Sequence, residues 1–311
     1  MAKRERGPTG QWRRRLAQTL QTAVAYPPYW FLRLLPLDMA SALAGWLGRT
    51  FGPKLAANRR AERNLRLVFP DLNDAARRRI VTGMWDNAAR VVTDYIHLGA
   101  LLAQPDRIEV RGGKVLERLR RDGRPALFFS AHLANWEMVT LAVRRAGLPL
   151  CVVYRRFNNP GVDRVVRRLQ GQSGVTLVPK GGRGARRLVG LIEDGMSTVM
   201  LVDQRLNNGI AVPFFGYRAM TAPALARLAR RFDAPIVPAR VERLAGARFR
   251  VTFEPPLEVP HGEDPAAEER AVMARVNARL EAWIRERPEQ WFWLHRRWPK
   301  EPEAMTSENG D

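Results

Sequence analysis

The feature that most constrains this chain is a regular alternation of short apolar runs with longer helical patterns between residues 125 and 231. Strands are predicted at 125–130, 149–154, 175–178 and 198–202. Helices are predicted at 136–146, 162–172, 184–194 and 222–231, the last of them capped by Thr221. This alternation is typical of an α/β fold with a mixed, largely parallel sheet flanked by helices.

Further elements on both sides extend this pattern. Helices are predicted from Asn58 towards Phe69-Pro70, over 75–97, over 116–121 and over 265–287, and a short strand at 108–110. In the helix over 75–97, apolar residues recur at a spacing near 3.6. Two runs at 235–242 and 248–254 are joined by Ala245-Gly246, which predicts a β-hairpin.

The charge of the chain indicates an anionic partner. The formal net charge is +21, and only five of the 52 basic residues are lysine. Arginine makes planar, two-pronged contacts with phosphates and carboxylates. Nucleic acid, an anionic membrane surface and a phosphorylated substrate would each satisfy this charge, and composition does not decide among them.

Cysteine and histidine usage argues against a metal or disulfide framework. Cys151 is the only cysteine, which excludes an intramolecular disulfide and a cysteine zinc site. The four histidines, at 97, 132, 261 and 295, include no close pair in sequence. We therefore expect neither a metal nor a cofactor.

The N-terminus has a basic segment followed by an uncharged run from Leu16 to Leu32. A spanning helix needs roughly 20 apolar residues, and this run is shorter and is interrupted by Tyr26-Pro27-Pro28-Tyr29. We expect an interfacial or tilted anchor with its aromatic residues at the level of the lipid headgroups. A secretory signal peptide and an amphipathic helix packed on the protein itself are the alternatives.

The segment with the clearest chemical content runs from Ser130 to Glu137, with the sequence SAHLANWE. It lies where a predicted strand ends and a helix begins, the edge at which α/β proteins place ligands. His132 would act as a general base, and Glu137 would accept the proton on its other ring nitrogen. Asn135 would cap the helix, whose N-terminus would keep Glu137 ionised and direct backbone N–H groups at an oxyanion.

This segment resembles the HxxxxD/E motif of the lipid A lauroyl/myristoyl acyltransferase family. Other segments resemble the family in the same order: RRAERNL from Arg59, MWDNAAR from Met84, VYRRFNNP from Val153, LVDQR from Leu201, VPFFG from Val212, MTAPALA from Met220 and RPEQWFWLHRRWP from Arg287. Together they span residues 59 to 299.

The resemblance implies transfer of a laurate- or myristate-type chain from the thioester of acyl carrier protein to a hydroxyl of a phosphorylated glucosamine lipid A precursor. It implies a glycerolipid-acyltransferase-like fold on the cytosolic face of the inner membrane. His132 and Glu137 carry over as catalytic residues. The expected substrate-binding residues are Asn135, Tyr154, Arg155, Arg168, Asp203 and Gln204. Arg168 is preferred to Arg167, although both could be solvated helix residues, and Asp203 could be a turn cap.

The expected organisation is a basic N-terminus and membrane anchor at 1–50, an acyltransferase catalytic domain at 51–300 and a disordered polar tail at 301–311. Trp291 to Trp298 form an aromatic and basic cluster that could pack on the sheet or border the acyl chain and acceptor phosphates.

Three other functions are alternatives to this one. The same chemistry could act on another glycolipid or a lysophospholipid, and the catalytic segment does not separate these acceptors. A nucleic-acid-binding protein would need a reading element or an aromatic platform that the sequence lacks, so we expect no nucleic-acid partner. A non-enzymatic membrane scaffold of the same fold is the third.

Overall fold

A computed structural model describes Thr19 and residues 26–154, 159–259 and 262–305. Seven strands form the main sheet in the order β1-β9-β8-β2-β5-β3-β4. They are β1 (Ile108–Arg111), β2 (Leu127–Ser130), β3 (Leu150–Tyr154), β4 (Thr176–Pro179), β5 (Ser197–Leu201), β8 (Ile236–Ala245) and β9 (Arg248–Phe253). All neighbouring pairs are parallel except β8 and β9. The predicted mixed, largely parallel sheet is therefore confirmed, as is the hairpin at Ala245-Gly246.

Helices surround this sheet. Residues 26–34 are helical (α1), followed by α2 (Leu37–Phe51), α3 (Asn58–Val68), α4 (Asp74–Ile96), α5 (Leu98–Ala103), α6 (Gly113–Asp122), α7 (Glu137–Arg145), α8 (Pro160–Gly171), α9 (Gly182–Glu193), α10 (Ala224–Phe232) and α11 (Pro265–Glu286). Local chemistry fixes several of their starts. Asn73 accepts a hydrogen bond from the backbone N–H of Ala76 at α4, and Asp264 accepts one from Ala266 at α11.

The core lies on both faces of the sheet. In β2, Leu127, Phe128 and Phe129 are consecutive and all completely buried. A parallel sheet covered on both faces requires such an unbroken apolar run instead of an alternating one. Phe128 packs edge-on against Phe253, and Phe129 stacks on Trp283 of α11. These contacts fix the central strands whose ends carry the site.

Two features differ from expectation. A second, antiparallel hairpin, β6 (Arg205–Phe214) and β7 (Tyr217–Thr221), was not predicted. The predicted cap at Thr221 is wrong, because Thr221 ends β7 and its hydroxyl donates to the carbonyl of Ala219. In the predicted tail, the backbone N–H of Met305 donates to Gly216, so its described part bonds to the hairpin.

Within the described part of the chain, no helix combines the length and apolar character that crossing a bilayer requires.

Candidate active site

His132 and Asp203 each lie two residues beyond the end of a parallel strand. β2 ends at Ser130 and β5 ends at Leu201. The register of the two strands places Ser130 opposite Leu201. Side chains that follow neighbouring strands meet at the same edge of the sheet. His132 and Asp203, 71 positions apart in sequence, are thus brought into hydrogen-bond contact.

Asp203 holds His132 by two hydrogen bonds. The Nδ1 atom of the imidazole lies 2.8 Å from Oδ1, and the backbone N–H of His132 donates to Oδ2 at 2.9 Å. Trp291 donates its indole N–H to the same Oδ2 at 2.8 Å. Asp203 is completely buried, whereas the His132 side chain is 15% exposed. The carboxylate therefore fixes the ring and leaves Nε2 directed away from Asp203, towards the side-chain amide of Gln204.

The protonation of Asp203 follows from two opposed effects. Burial raises the pKa of its carboxyl group, but the charge and hydrogen bonds of His132 lower it by more. The net result is a pKa well below the usual range. Asp203 is accordingly a carboxylate that can orient and stabilise an imidazolium ion.

The expected hydrogen bond between His132 and Glu137 is not formed, and this pairing is corrected. Oε1 of Glu137 instead accepts from the hydroxyl of Tyr95 at 2.5 Å and from Nε2 of Gln170 at 3.0 Å. Glu137 opens α7 and points towards α4 and α8, whereas the strand-end register directs His132 to Asp203. Burial raises the pKa of Glu137, and the hydrogen bonds from Tyr95 and Gln170 oppose that rise.

The loop between His132 and α7 has a special conformation. Ala134 has φ of 45°, a left-handed geometry that residues with a side chain seldom adopt. Asn135 is completely buried, and its Oδ1 accepts from the backbone N–H of Glu137 at 3.1 Å. The residue at the N-cap of α7 is Trp136 and not Asn135 as predicted, although Asn135 does bond to the first residue of the helix. The side chain of Asn135 is absent from the cavity wall, so Asn135 holds the loop instead of facing a substrate.

The four other predicted site residues lie in different places. Tyr154 ends β3, is nearly buried and lines the cavity described below. Gln204 is exposed, and the Nε2 atom of its side-chain amide lies within hydrogen-bond distance, 3.3 Å, of Nε2 of His132. Arg168 is exposed on α8 and is not part of the cavity wall. Arg155 lies outside the described residues.

A large apolar cavity of about 1090 Å³ adjoins His132. Its wall contains His132, Glu137 and Gln204 together with apolar side chains from several elements: Val91, Val152, Val165, Leu169, Leu188 and Met200. The cavity is lined by α4, α8, α9, β3 and β5 and by residues of α1 such as Tyr29. Apolar walls with a few converging polar groups are characteristic of a ligand site.

The sequence profile of the bacterial lipid A biosynthesis acyltransferases matches residues 8–300. The chain belongs to this family. It is 25% identical to the lipid A biosynthesis myristoyltransferase of Escherichia coli K12 over 270 residues, which cover 85% of this chain and 82% of that protein. It is 27% identical to the lipid A biosynthesis lauroyltransferase of the same organism over 313 residues, covering 92% and 97%. The palmitoleoyltransferase of that organism is 25% identical, covering 89% and 90%.

Family membership confirms the prediction of an acyltransferase of lipid A biosynthesis, and with it a lipid A-type acceptor. In this acyltransferase His132 and Asp203 converge at one sheet edge. The fold explains why they are far apart in sequence, since β5 rather than the next strand along the chain is the neighbour of β2.

His295 is a second histidine beside His132 that the sequence did not identify. The ring centroids of His132 and His295 are 4.5 Å apart. The ring of Trp136 also packs against His132, with 4.7 Å between the ring centroids. Burial, together with the charge of His132, lowers the pKa of His295 to about 4. His132, Asp203 and His295 place potential metal-ligand atoms within 4.8 Å of one another. Histidine spacing in the sequence was therefore a poor guide to whether these side chains could bind a metal.

The C-terminal cluster is largely structural. Trp291, Trp293 and Trp298 are buried, as the packing account predicted. Arg297 is also buried, and it donates to the carbonyl of Met220 and to the hydroxyl of Thr221. Trp291 was missed as a site residue. Its place in the family-like segment RPEQWFWLHRRWP was the signal that could have identified it.

Proposed function

We propose that this enzyme transfers a laurate- or myristate-type acyl chain from the thioester of acyl carrier protein to a hydroxyl of a phosphorylated glucosamine lipid A precursor, with His132 as general base. The observation that carries the proposal is the placement of His132. Its imidazole is held by the buried carboxylate of Asp203 and borders a large apolar cavity.

In the proposed reaction, Nε2 of His132 removes the proton of the acceptor hydroxyl while the hydroxyl oxygen attacks the thioester carbonyl carbon. The Asp203 carboxylate stabilises the imidazolium ion that forms. The tetrahedral intermediate collapses with cleavage of the carbon–sulfur bond, and the imidazolium returns its proton to the leaving thiolate. Gln204, 3.3 Å from Nε2, would mark the side from which the acceptor hydroxyl approaches.

Glu137 remains in the proposal as a second carboxyl group of the site. It lines the same cavity as His132, but it is bonded to Tyr95 and Gln170. Because its Oε1 already accepts from Tyr95 and Gln170 and does not contact the imidazole, Glu137 would act as a hydrogen-bonding group in the cavity instead of as the charge partner of the base. Backbone N–H groups at the start of α7 are less suited to an oxyanion, because those of Glu137, Met138 and Val139 bond within the loop.

The cavity suits the acyl chain. Its valine, leucine and methionine side chains offer no hydrogen bonds to a ligand, so an extended hydrocarbon would gain about 0.8 kcal/mol for each buried CH₂ group. Tyr154 and Lys180, at the β3 and β4 ends, would contact the polar parts of the donor or acceptor. Arg168, outside the cavity wall, would add to the binding of acceptor phosphates, and Arg155 stays a proposed phosphate contact.

The N-terminal helices would place the enzyme on the cytosolic face of the inner membrane. Trp30, Phe31 and Leu34 on α1 are 52%, 55% and 81% exposed. Trp46 and Phe51 on α2 are about half exposed as well. Aromatic and aliphatic side chains next to basic residues are typical of an interfacial helix, and α1 also lines the cavity, so a lipid substrate could enter from the bilayer.

Mass spectrometry of lipid A from cells that lack this chain tests the proposal. We expect the loss of one secondary acyl group, restored by the wild-type chain and not by His132→Ala. An unchanged lipid A in the deleted cells, or acylation of only a lysophosphatide by the purified enzyme, would refute the proposed acceptor. A His132→Ala chain that fully restores the acyl group would refute the proposed base.

A further inference from the structure

A buried ionic pair lies next to the loop between His132 and α7 (residues 133–136). On β8, Nη2 of Arg243 donates to Oδ2 of Asp94 on α4 at 2.6 Å, and the two side chains are 7% and 0% exposed. A pair of charges taken out of water is weak evidence for stability, because its desolvation offsets its attraction. The other hydrogen bonds of this pair lead to the loop that follows His132.

Arg243 is connected to this loop by three separate chains of hydrogen bonds. In the first, Oδ2 of Asp94 accepts both from Arg243 and from the side-chain amide of Asn135, the latter at 3.1 Å. Nε of Arg243 donates to Oδ1 of Asn87 at 2.8 Å, and the amide of Asn87 donates to the carbonyl of Ala134 at 3.1 Å.

The third chain of hydrogen bonds includes Gln290. Its side chain accepts from the backbone N–H of Arg243 and donates to the carbonyl of Arg243, both at 2.9 Å. The backbone carbonyl of Gln290 then accepts from the backbone N–H of Ala134 at 2.9 Å. Both polar backbone groups of Ala134 are thus bound to residues that Arg243 contacts.

Ala134 is the residue of this loop with an unfavourable backbone conformation. Its φ of 45° is unfavourable for a residue with a Cβ atom, so the surroundings must impose it. The same backbone continues to His132, whose carbonyl accepts from Phe292 at 3.0 Å. A change in the Ala134 conformation would therefore move the imidazole relative to Asp203 and the cavity.

We propose that Arg243 is a positioning residue for the reaction, which sets the geometry of His132 by fixing Ala134 and Asn135 through Asp94, Asn87 and Gln290. The inference rests on the proposed function of His132 as the base. It assigns to Arg243 no contact with substrate, since Arg243 is absent from the wall of the cavity.

The test compares two arginine-to-lysine variants on β8. Arg243→Lys keeps a cation beside Asp94 but loses the donor to Asn87 and the planar fork. Arg240→Lys is the matched control, because Arg240 also pairs with carboxylates, at Glu286 (2.6 Å) and Glu242 (3.3 Å), and has no contact with the loop among the described hydrogen bonds. Both are assayed with acyl carrier protein charged with laurate or myristate and a lipid A precursor.

For Arg243→Lys we expect kcat to fall by about tenfold to a hundredfold, the effect of a displacement of about 1 Å, with the KM for the acyl donor unchanged. Arg240→Lys should retain wild-type kcat. In a His132→Ala background the same Arg243→Lys change should cost little further activity, because a positioning residue acts only through the group it positions.

Equal kcat values in Arg243→Lys and Arg240→Lys would overturn the inference, as would an undiminished effect in the His132→Ala background. If Arg243→Lys does not fold, the charge-neutral pair Arg243→Gln with Asp94→Asn replaces it. Wild-type kcat in that folded pair would equally overturn the inference. A wild-type enzyme that acylates no lipid A precursor would instead refute the proposed function, so the two failures are distinguishable.

Discussion

At the scale of the residue, the proposed chemistry depends on how completely the Asp203 carboxylate is satisfied. Its two oxygens accept from the ring and backbone of His132 and from the indole of Trp291. A buried carboxylate that loses a donor is costly, since a hydrogen bond to a charged group contributes roughly 1.5–3 kcal/mol. Trp291 therefore belongs to the support of the base even though it does not contact the imidazole through a hydrogen bond.

Trp291→Phe should lower kcat by about tenfold, because the Asp203 carboxylate would lose a donor worth roughly 1.5 kcal/mol and could turn away from His132. Trp293→Phe is the control. Trp293 is also buried, and its indole N–H donates to the carbonyl of Pro288 instead. Kinetics and urea denaturation of both variants check the prediction, which fails if both variants lose stability equally and neither loses kcat.

The sequence identified His132 but paired it with the wrong carboxylate. The HxxxxE spacing indicated Glu137 because it is close in sequence, and helix geometry allowed a contact. The contact with Asp203 depends on β5 lying beside β2, a strand order that residue patterns do not reveal. Asp94 and Arg243 were missed for the same reason, since nothing in the sequence indicates that residues 149 positions apart form a buried pair.

At the scale of the element, the helices and the main sheet were predictable because each carries its own pattern. The 3.6-residue spacing of α4 and the unbroken apolar run of β2 both reflect local burial. The β6–β7 hairpin was not predictable in this way. Its first strand begins with Arg205, Asn207 and Asn208, and its residues do not alternate between buried and exposed.

The exposed apolar side chains of α1 lead to a prediction at this scale. Replacement of Trp30, Phe31 and Leu34 by serine should weaken binding to anionic phospholipid vesicles by at least about tenfold, because each side chain contributes more than 1 kcal/mol when buried in lipid. None of the three lines the cavity, so activity on detergent-dispersed substrate should persist.

Vesicle sedimentation measures this binding. The control is serine at Val110 and Leu244, which are 40% and 43% exposed on β1 and β8. Equal sedimentation of the α1 variant and the control variant would show that α1 is not the membrane-binding element.

At the scale of the whole molecule, the sheet brings His132, the proposed base, and the Asp203 carboxylate to one edge, and helices from both halves of the chain enclose an apolar cavity beside them. The net charge of +21 is compatible with the proposed phosphorylated acceptor in an anionic membrane. The central claim that connects these levels is that His132 and Asp203 work as one unit. A double-mutant cycle tests that claim directly.

The cycle compares kcat for the wild type, His132→Ala, Asp203→Asn and the double variant, with laurate- or myristate-charged acyl carrier protein and a lipid A precursor. We expect each single variant to lose about 10²- to 10⁴-fold, and the double variant to be no slower than His132→Ala alone, because Asp203 acts through the imidazole. Losses that multiply in the double variant would show that the two residues act independently and would contradict the account.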